Sequence, residues 1–392
     1  MAATKTSSRL GAYVRSGTAG EHFEAHIPSP LPPDPPLELG PRHHDLLERA
    51  NRALGRLDGM ATLLPETPIF LYAYVRKEAV LSSQIEGTQS TLSDLLLYES
   101  KEVPGVPLDD VEEVSTYVAA MNHGLRRMRG GFPLSLRLIR EIHKILLSTG
   151  RGSNKAPGEF RTSQNWIGGT RPGNARYVPP PPDRVPACMG LLEKFLHDDP
   201  VKTPLLVKAA LAHVQFETIH PFLDGNGRLG RLLITLLLCA EEALSQPMLY
   251  LSLYFKTHRE RYYELLQRVR THGDWEAWVE FFLEGVLETS EQATRAARRI
   301  MELFKADRAR IEALGRAAVS ALRMHHLLCE KIIISVPGVT RALRVTKPTA
   351  AAAMRHLQAL GIVRELTGRK RNKLYVYQHY LRILDEGTTP LR

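Results

Sequence analysis

A sharp turn with two glycines, set between two helical segments, limits the possible folds of this chain more than any other stretch of it. The turn reads Asp224-Gly225-Asn226-Gly227, with apolar residues at helical spacing before it and again after Arg228. Glycine adopts left-handed backbone conformations that are closed to most residues, so consecutive amide N–H groups can converge here. Amides that converge at a helix N-terminus bind phosphate, and the helix dipole helps. The turn therefore predicts a phosphate-binding loop.

Residues on both sides of the turn carry chemistry that suits a nucleotide. Arg228 and Arg231 are three apart and share a helix face, where two guanidinium groups could hold a polyphosphate. Asp224 offers a hard oxygen ligand for Mg²⁺. His220, at the end of the preceding helix, has an ordinary pKa suited to taking a proton from a hydroxyl. Together these residues predict a nucleotidyl transfer site, although each alone is more often structural.

The whole string resembles the signature of the Fic family, His-Pro-Phe-x-Asp/Glu-Gly-Asn-Gly/Lys-Arg-x-x-Arg. Every specified position is matched, by His220, Pro221, Phe222, Asp224, Gly225, Asn226, Gly227, Arg228 and Arg231. The resemblance implies a protein AMP transferase. A Ser, Thr or Tyr hydroxyl of a target protein would attack the α-phosphorus of ATP in line, and pyrophosphate would leave. The resemblance therefore implies ATP as the substrate and Mg²⁺ or Mn²⁺ as the metal ion. Self-modification of the chain is a further expected outcome.

The resemblance also implies a role for each residue of the string. His220 resembles the general base, Asp224 the metal ligand, and Phe222 a core anchor. Asn226 is expected to reach the α-phosphate from within the anion hole. Arg228 and Arg231 are expected to clamp the β- and γ-phosphates. The complete phosphate-binding set is Gly225, Asn226, Gly227, Arg228, Leu229, Gly230 and Arg231.

Two further stretches resemble parts of Fic proteins that hold the target and the base. A hairpin between Pro157 and Pro180 resembles the flap that holds the target's backbone in extended form. Its predicted contact residues are Asn165, Trp166, Ile167 and Gly168. An inert surface loop is the alternative. The predicted adenine pocket comprises Ile167, Tyr263 and Leu266, although aromatic residues at helical spacing are more often core.

A short stretch well before the signature resembles the inhibitory motif Ser/Thr-x-x-x-Glu-Gly/Asn of Fic proteins. Its key residues are Ser82, Glu86 and Gly87. Glu86 is expected to pair with Arg231 and so to prevent ATP from adopting the reactive pose. In some relatives the same glutamate aligns a water that removes AMP from the target. A solvent-facing glutamate near a helix end is the alternative.

The helical spacing predicts a mainly α chain: a Fic helical domain with a β-hairpin flap, an N-terminal helical region and a C-terminal winged helix. A Pro-rich stretch from Ile27 to Pro36 cannot be helical and predicts an extended arm. The predicted units are an arm (1–40), a helical region with the inhibitory helix (41–105), the Fic domain (106–290), a linking helix (291–312), a winged helix-turn-helix (313–380) and a tail (381–392).

The C-terminal unit resembles a winged helix-turn-helix, with three helices followed by two strands. The basic turn from Arg369 to Lys373, with Arg344, Lys347 and Arg355, could contact DNA phosphates. Four alanines, from Ala350 on, leave few side chains to read bases on that helix. DNA binding and a protein or dimer contact therefore both stay open.

The composition fits these interpretations. A net charge of +10 suggests an anionic partner. Three widely spaced cysteines and an N-terminus without an apolar segment predict a cytoplasmic protein without a membrane partner. A homodimer is expected. Gly227 argues against phosphate transfer from ATP, because relatives with that activity carry lysine there. The alternative from another class is a DNA-binding transcriptional regulator with the Fic domain as nucleotide sensor.

Overall fold

The computed structural model describes residues 8–18, 21–63, 67–99, 108–368 and 373–391. Most of these residues are helical, which confirms the mainly α fold class. None of the helices in this described part has the apolar length needed to cross a bilayer. The first ten helices are α1 (Pro41–Leu63), α2 (Thr67–Ile85), α3 (Leu92–Glu99), α4 (Leu108–Arg129), α5 (Leu136–Leu146), α6 (Val185–Leu196), α7 (Leu205–Ile219), α8 (Asn226–Ala240), α9 (Ser252–Thr257) and α10 (Arg259–His272).

Helix α7 is the centre of the core. Every residue from Leu206 to Ile219 is buried, as expected for a helix that is apolar on nearly all sides. Helix α8 packs against α7, and α4, α6 and α10 surround this pair. The turn between α7 and α8 is thus held by two buried helices, which gives it a rigid support.

The N-terminal 40 residues are not one extended arm, so that prediction is wrong for part of the segment. Strands β1 (Ala12–Thr18) and β2 (Glu21–Ile27) form an antiparallel hairpin, and the stretch between Ile27 and α1 has no regular structure. The period-two alternation in β2, with Phe23 and Ala25 buried, explains the strand. The backbone N–H of His26 donates to Val178 O at 2.9 Å, so the hairpin supports the predicted flap region.

The predicted linking helix is not a separate element. Helix α11 runs without a break over Trp275–Glu312, beginning with the Asp274 side chain as its N-cap. The expected boundary at residue 290 falls inside it, because no proline or glycine interrupts the helix at that point. Helix α1 packs along α11. One helix therefore belongs both to the predicted Fic domain and to the connection with the C-terminal unit.

The C-terminal unit contains three helices and a small sheet, then a final helix. The elements are α12 (Ala318–Lys331), β3 (Ile333–Ser335), α13 (Val336–Leu343), α14 (Lys347–Ala359), β4 (Val363–Glu365), β5 (Leu374–Tyr377) and α15 (Gln378–Asp385). Strand β3 was not predicted; it pairs with β5 to give the antiparallel order β3-β5-β4. The basic tip at 369–372 lies outside the described residues. The predicted tail (381–392) is helical up to Asp385.

Candidate functional site: the loop between helices α7 and α8

The backbone of the loop has the geometry of an anion site. His220 ends α7 in a left-handed conformation (φ 50°), and Gly225 precedes α8 with φ 78°. The first intrahelical hydrogen bond of α8 is donated by the Leu229 N–H to Gly225 O, at 3.0 Å. The amides of Asn226, Gly227 and Arg228 therefore have no acceptor within the helix. They face the N-terminal end of α8, where the helix dipole favours negative charge.

His220 lies at the edge of this loop in a neutral form. Burial, helped by the guanidinium groups of Arg270 and Arg161, lowers the pKa of His220 to about 3. About a fifth of its side chain (21%) remains exposed, so a hydroxyl can reach the ring. The Arg161 Nε donates to His220 O at 2.9 Å and holds its backbone. A neutral imidazole can accept a proton, as a general base must.

Asp224 is the one predicted metal ligand, and its surroundings fit that role. Its Oδ1 accepts the Gly225 N–H at 2.6 Å, while 27% of its side chain is exposed. Gly152 approaches so closely that a Cβ there would lie 2.7 Å from Oδ2. In the described residues, no group of three or more His, Cys, Asp and Glu could hold a metal alone. Mg²⁺ needs only one or two carboxylates when phosphates and water complete its shell, so Asp224 fits.

Arg231 is held by the segment 82–87, which the sequence singled out as inhibitory. Its Nη2 lies 2.7 Å from Glu86 Oε1 and donates to Ser82 O at 3.0 Å, and its Nε donates to Ser82 Oγ at 2.9 Å. Burial would raise the pKa of Glu86, but the adjacent Arg231 guanidinium outweighs it and holds that pKa below its usual range. The pair is therefore ionic.

Glu86 also lies directly against the loop backbone. A Cβ added at Gly227 would be 2.3 Å from Glu86 Oε1, so the carboxylate occupies the space beside the first turn of α8. Gly87, two residues beyond the end of α2, has φ 99°, which turns the chain immediately after Glu86. A carboxylate in this position competes with a phosphate for the same amides and the same guanidinium.

Two predicted phosphate ligands have other partners. The Asn226 side chain accepts from the Phe222 N–H (2.9 Å) and donates to Phe222 O (2.8 Å). Both polar atoms of this side chain thus close the turn, and its expected contact with the α-phosphate stays a prediction. Arg228 is buried, with its Nη1 2.8 Å from Glu113 Oε1. Its guanidinium is paired with that carboxylate and is not free to bind a phosphate in this structure. Leu229 and Gly230 are buried in α8.

His143 is a positioning residue that the sequence gave no reason to select. Its Nδ1 accepts from the Gly158 N–H at 2.8 Å, so Nε2 carries the proton and donates to Asp224 O at 3.0 Å. The ring stacks on Phe222 with centroids 3.7 Å apart. Burial lowers its pKa to about 4, which keeps it neutral. His143 thus joins the predicted flap region to the backbone of the predicted metal ligand.

The predicted flap is less regular than a hairpin of two strands. A single pair joins its sides, with Ile167 N donating to Tyr177 O at 2.8 Å and Tyr177 N to Ile167 O at 3.1 Å. Asn165 Nδ2 donates to Phe222 O at 3.0 Å and so attaches the flap to the loop. Trp166 is 39% exposed, and Gly168 has φ 70°. The prolines and glycines of this stretch explain why longer strands do not form.

The predicted adenine pocket is only partly supported by the positions of its residues. Tyr263 is partly buried, with the Arg259 guanidinium 5.4 Å from its ring centroid. Leu266 is 3% exposed and belongs to the main hydrophobic core. Ile167 lies in the flap pair. A pocket formed by these three residues stays a prediction.

The fold and the loop define the class of this chain. The descriptions "Fic/DOC family N-terminal" and "Fic/DOC family" match residues 44–126 and 133–238. These residues are therefore a Fic/DOC N-terminal region and a Fic/DOC domain, and they hold segment 82–87 and the loop. A Fic family protein from Desulfovibrio desulfuricans G20 has the same fold, with a TM-score of 0.55 at 21% identity over 88% of this chain and 98% of that one.

Individual relatives are similar to part of the chain. The "Protein adenylyltransferase Fic" of Aedes aegypti is 33% identical over 204 residues, and that of Drosophila erecta 30% identical over 203. Each alignment covers 51% of this chain and 38% of the relative, so the chain spans well under half the length of these proteins. A Fic domain containing signaling protein from Bacteroides thetaiotaomicron VPI-5482 matches 64% of this chain at 21% identity, with a TM-score of 0.50.

Proposed function

We propose that this protein transfers AMP from ATP to a Ser, Thr or Tyr hydroxyl of a protein. The observation that carries the proposal is the convergence on one loop of a neutral histidine, a partly exposed aspartate and free helix-terminal amides. His220, Asp224 and the first turn of α8 supply these groups. The family membership of the loop and the names of its relatives support the same activity.

In the proposed mechanism the chain mainly positions groups and stabilises charge. The amides from Asn226 to Arg228 bind phosphate oxygens at the positive end of α8. His220 removes the proton of the attacking hydroxyl as the bond to the α-phosphorus forms and the bond to pyrophosphate breaks. Arg231, once released from Glu86, balances the charge of the leaving group. Asp224 would hold Mg²⁺, which supplies further neutralisation of phosphate charge.

A comparison of two labels tests the reaction type. Purified protein with Mg²⁺ and α-³²P-ATP should label itself or proteins of a lysate, because all groups of the transfer site are in one loop. With γ-³²P-ATP no protein label should appear, since pyrophosphate leaves. Autoradiography of a denaturing gel gives the readout, and Asp224→Ala is the control for metal dependence. Label from the γ-phosphate alone would contradict AMP transfer, and nucleotide binding without label would favour the sensor alternative.

Autoinhibition by segment 82–87 is part of the proposal, and so is a homodimeric, cytoplasmic state. The Glu86–Arg231 pair blocks the guanidinium that the γ-phosphate needs. Removal of AMP by a water aligned on Glu86 uses the same carboxylate, so one site could run both reactions. Sedimentation of the full chain tests the dimer, and cell fractionation tests the location.

The C-terminal unit is proposed to be a winged helix that binds DNA. The order β3-β5-β4 and the consecutive α13 and α14 support it. This unit exposes three basic side chains at the end of α13 and along α14, those of Arg344, Lys347 and Arg355. In a gel shift with the full chain, Lys347→Ala with Arg355→Ala should reduce the slope of log affinity against log salt by about 2.

The control for this experiment is Arg49→Ala with Arg52→Ala, which removes two exposed arginines from α1. That variant should keep the wild-type salt slope. A full-length protein without salt-sensitive retardation would instead favour a protein contact for the C-terminal unit. A truncation near Thr289 is not a suitable test, because it would cut through α11.

A further inference from the structure

The chain that follows helix α15 packs against the end of the helix that carries the inhibitory segment. Residues 386–391, here named the latch segment, run beside α2, α9 and the turn after Gly87. We propose that the latch segment holds the end of α2 in the position in which Glu86 reaches Arg231. This inference rests on the proposed function and adds a second, distant contact to its regulation.

Two buried lysines bind the backbone of the latch segment. Lys77 of α2 donates to Glu386 O at 2.7 Å, and Lys256 of α9 donates to Gly387 O at 3.1 Å and also to Thr389 O. Lys77 is 3% and Lys256 5% exposed. A buried ammonium group is costly unless it has acceptors, so these carbonyls stabilise both lysines.

The contacts continue up to the inhibitory glutamate. Gln84 Nε2, two residues before Glu86, donates to Thr388 O and to Ser90 O, at 2.8 Å each. Gln89 Nε2 donates to Leu391 O at 3.4 Å. The latch segment therefore contacts the chain on both sides of Glu86. Because α2 ends at Ile85, these bonds fix the last helical turn and the bend that follows.

The latch segment packs closely against α9, and an ion pair holds its first residue. Gly387 has φ 83°, and a Cβ there would lie 2.7 Å from Leu253 Cδ1. Thr388 is 1% exposed. Arg299 of α11 makes two parallel bonds of 2.8 Å to the Glu386 carboxylate. Such a bidentate pair fixes direction as well as distance.

The position of the latch segment joins the C-terminal unit to the inhibitory segment. Strand β5 leads directly into α15, and α15 leads into the latch segment. The backbone carbonyls of the latch segment accept hydrogen bonds from three side chains of the preceding region, those of Lys77, Gln84 and Lys256. If the segment withdraws, the two lysines lose these carbonyls and Gln84 keeps only its bond to Ser90 O, so the end of α2 is less firmly held. Glu86 then leaves Arg231 more often, and ATP binds productively.

Gly387→Ala is the variant that tests the latch in the full chain. The added Cβ clashes with Leu253, and the positive φ disfavours alanine. The segment should therefore lose its packing against α9. AMP transfer should rise about 3–10-fold, the effect of one ordinary hydrogen bond on the closed state. The matched control is Gly361→Ala, with φ 70° and open space around it, which should keep the wild-type rate.

Combination with Glu86→Gly shows whether the latch acts through the inhibitory pair. In that background Gly387→Ala should add no further gain, since the two changes affect one contact. A gain that persists in full there would overturn the proposal. The proposal would also be overturned if Gly387→Ala kept the wild-type rate although hydrogen exchange showed that residues 386–391 had become unprotected. An unchanged rate in a variant that ends at Asp385, and so has no latch segment, would overturn it as well.

Hydrogen exchange also separates failure of the latch from failure of the proposed function. The amides of Glu86, Gly87 and Thr88 bond to carbonyls in the last turn of α2. They should exchange faster in Gly387→Ala than in wild type or Gly361→Ala, whatever the reaction is. Unchanged exchange at these amides would overturn the latch. Absence of AMP transfer in Glu86→Gly, with this exchange faster as expected, would overturn the function alone.

Discussion

Replacement of His220 by alanine should lower AMP transfer by about 10²–10⁴-fold, the usual loss when a general base is removed. The imidazole is neutral because burial and two guanidinium groups lower its pKa to about 3. The carboxylate of Glu217 is the nearest acid, with its Oε2 3.9 Å from His220 Nδ1, and it is buried.

The measurement is the initial rate of α-label transfer, in the Glu86→Gly background so that small rates are visible. His44→Ala, which removes an exposed histidine of α1, is the control and should keep the parent rate. Because a lowered pKa keeps the base unprotonated as pH falls, the parent rate should not drop between about pH 7 and 6. An alanine variant that transfers AMP as fast as its parent would contradict the role of His220.

The loop could be predicted from sequence because its candidate functional residues are neighbours in the chain. From His220 to Arg231 they span a turn and the start of one helix, so spacing along the chain already decides which face each residue shares. The pairing of Glu86 with Arg231 followed from a motif and from opposite charge. The mainly α fold followed from the helical spacing of apolar residues.

The rest of the site depends on contacts between residues far apart in sequence. His143 is 81 residues from Asp224, and only the packing of α5 beside the loop brings its ring to that carbonyl. Glu113 of α4 reaches Arg228 in the same way. The sequence does not reveal the continuity of α11, for a different reason. The residues change from mostly apolar to mostly charged along the helix, which suggests a domain boundary, but this change interrupts no backbone hydrogen bonds.

Glu86→Gly is expected to raise AMP transfer by about 10–100-fold. The Glu86–Arg231 contact is a charge-assisted hydrogen bond of 2.7 Å, and such bonds contribute ~1.5–3 kcal/mol. That free energy must be supplied before the γ-phosphate can take the guanidinium. The same carboxylate lies beside Gly227, so its removal also clears the amides of α8. Glu242→Gly, at an exposed position just beyond α8, is the matched control and should leave the rate unchanged.

Arg231→Ala in the Glu86→Gly background should remove the gain, because Arg231 anchors Glu86 and, in the proposed mechanism, also binds the γ-phosphate. Glu86→Gln should give a smaller activation than Glu86→Gly, since the amide keeps the size of the side chain but loses the ionic pair. The initial rate of α-label transfer measures all three. If Glu86→Gly lowers transfer, or only slows removal of AMP from a target modified beforehand, then Glu86 is chiefly a hydrolytic residue. The carboxylate would in that case act on a water, and its contact with Arg231 would serve to orient it.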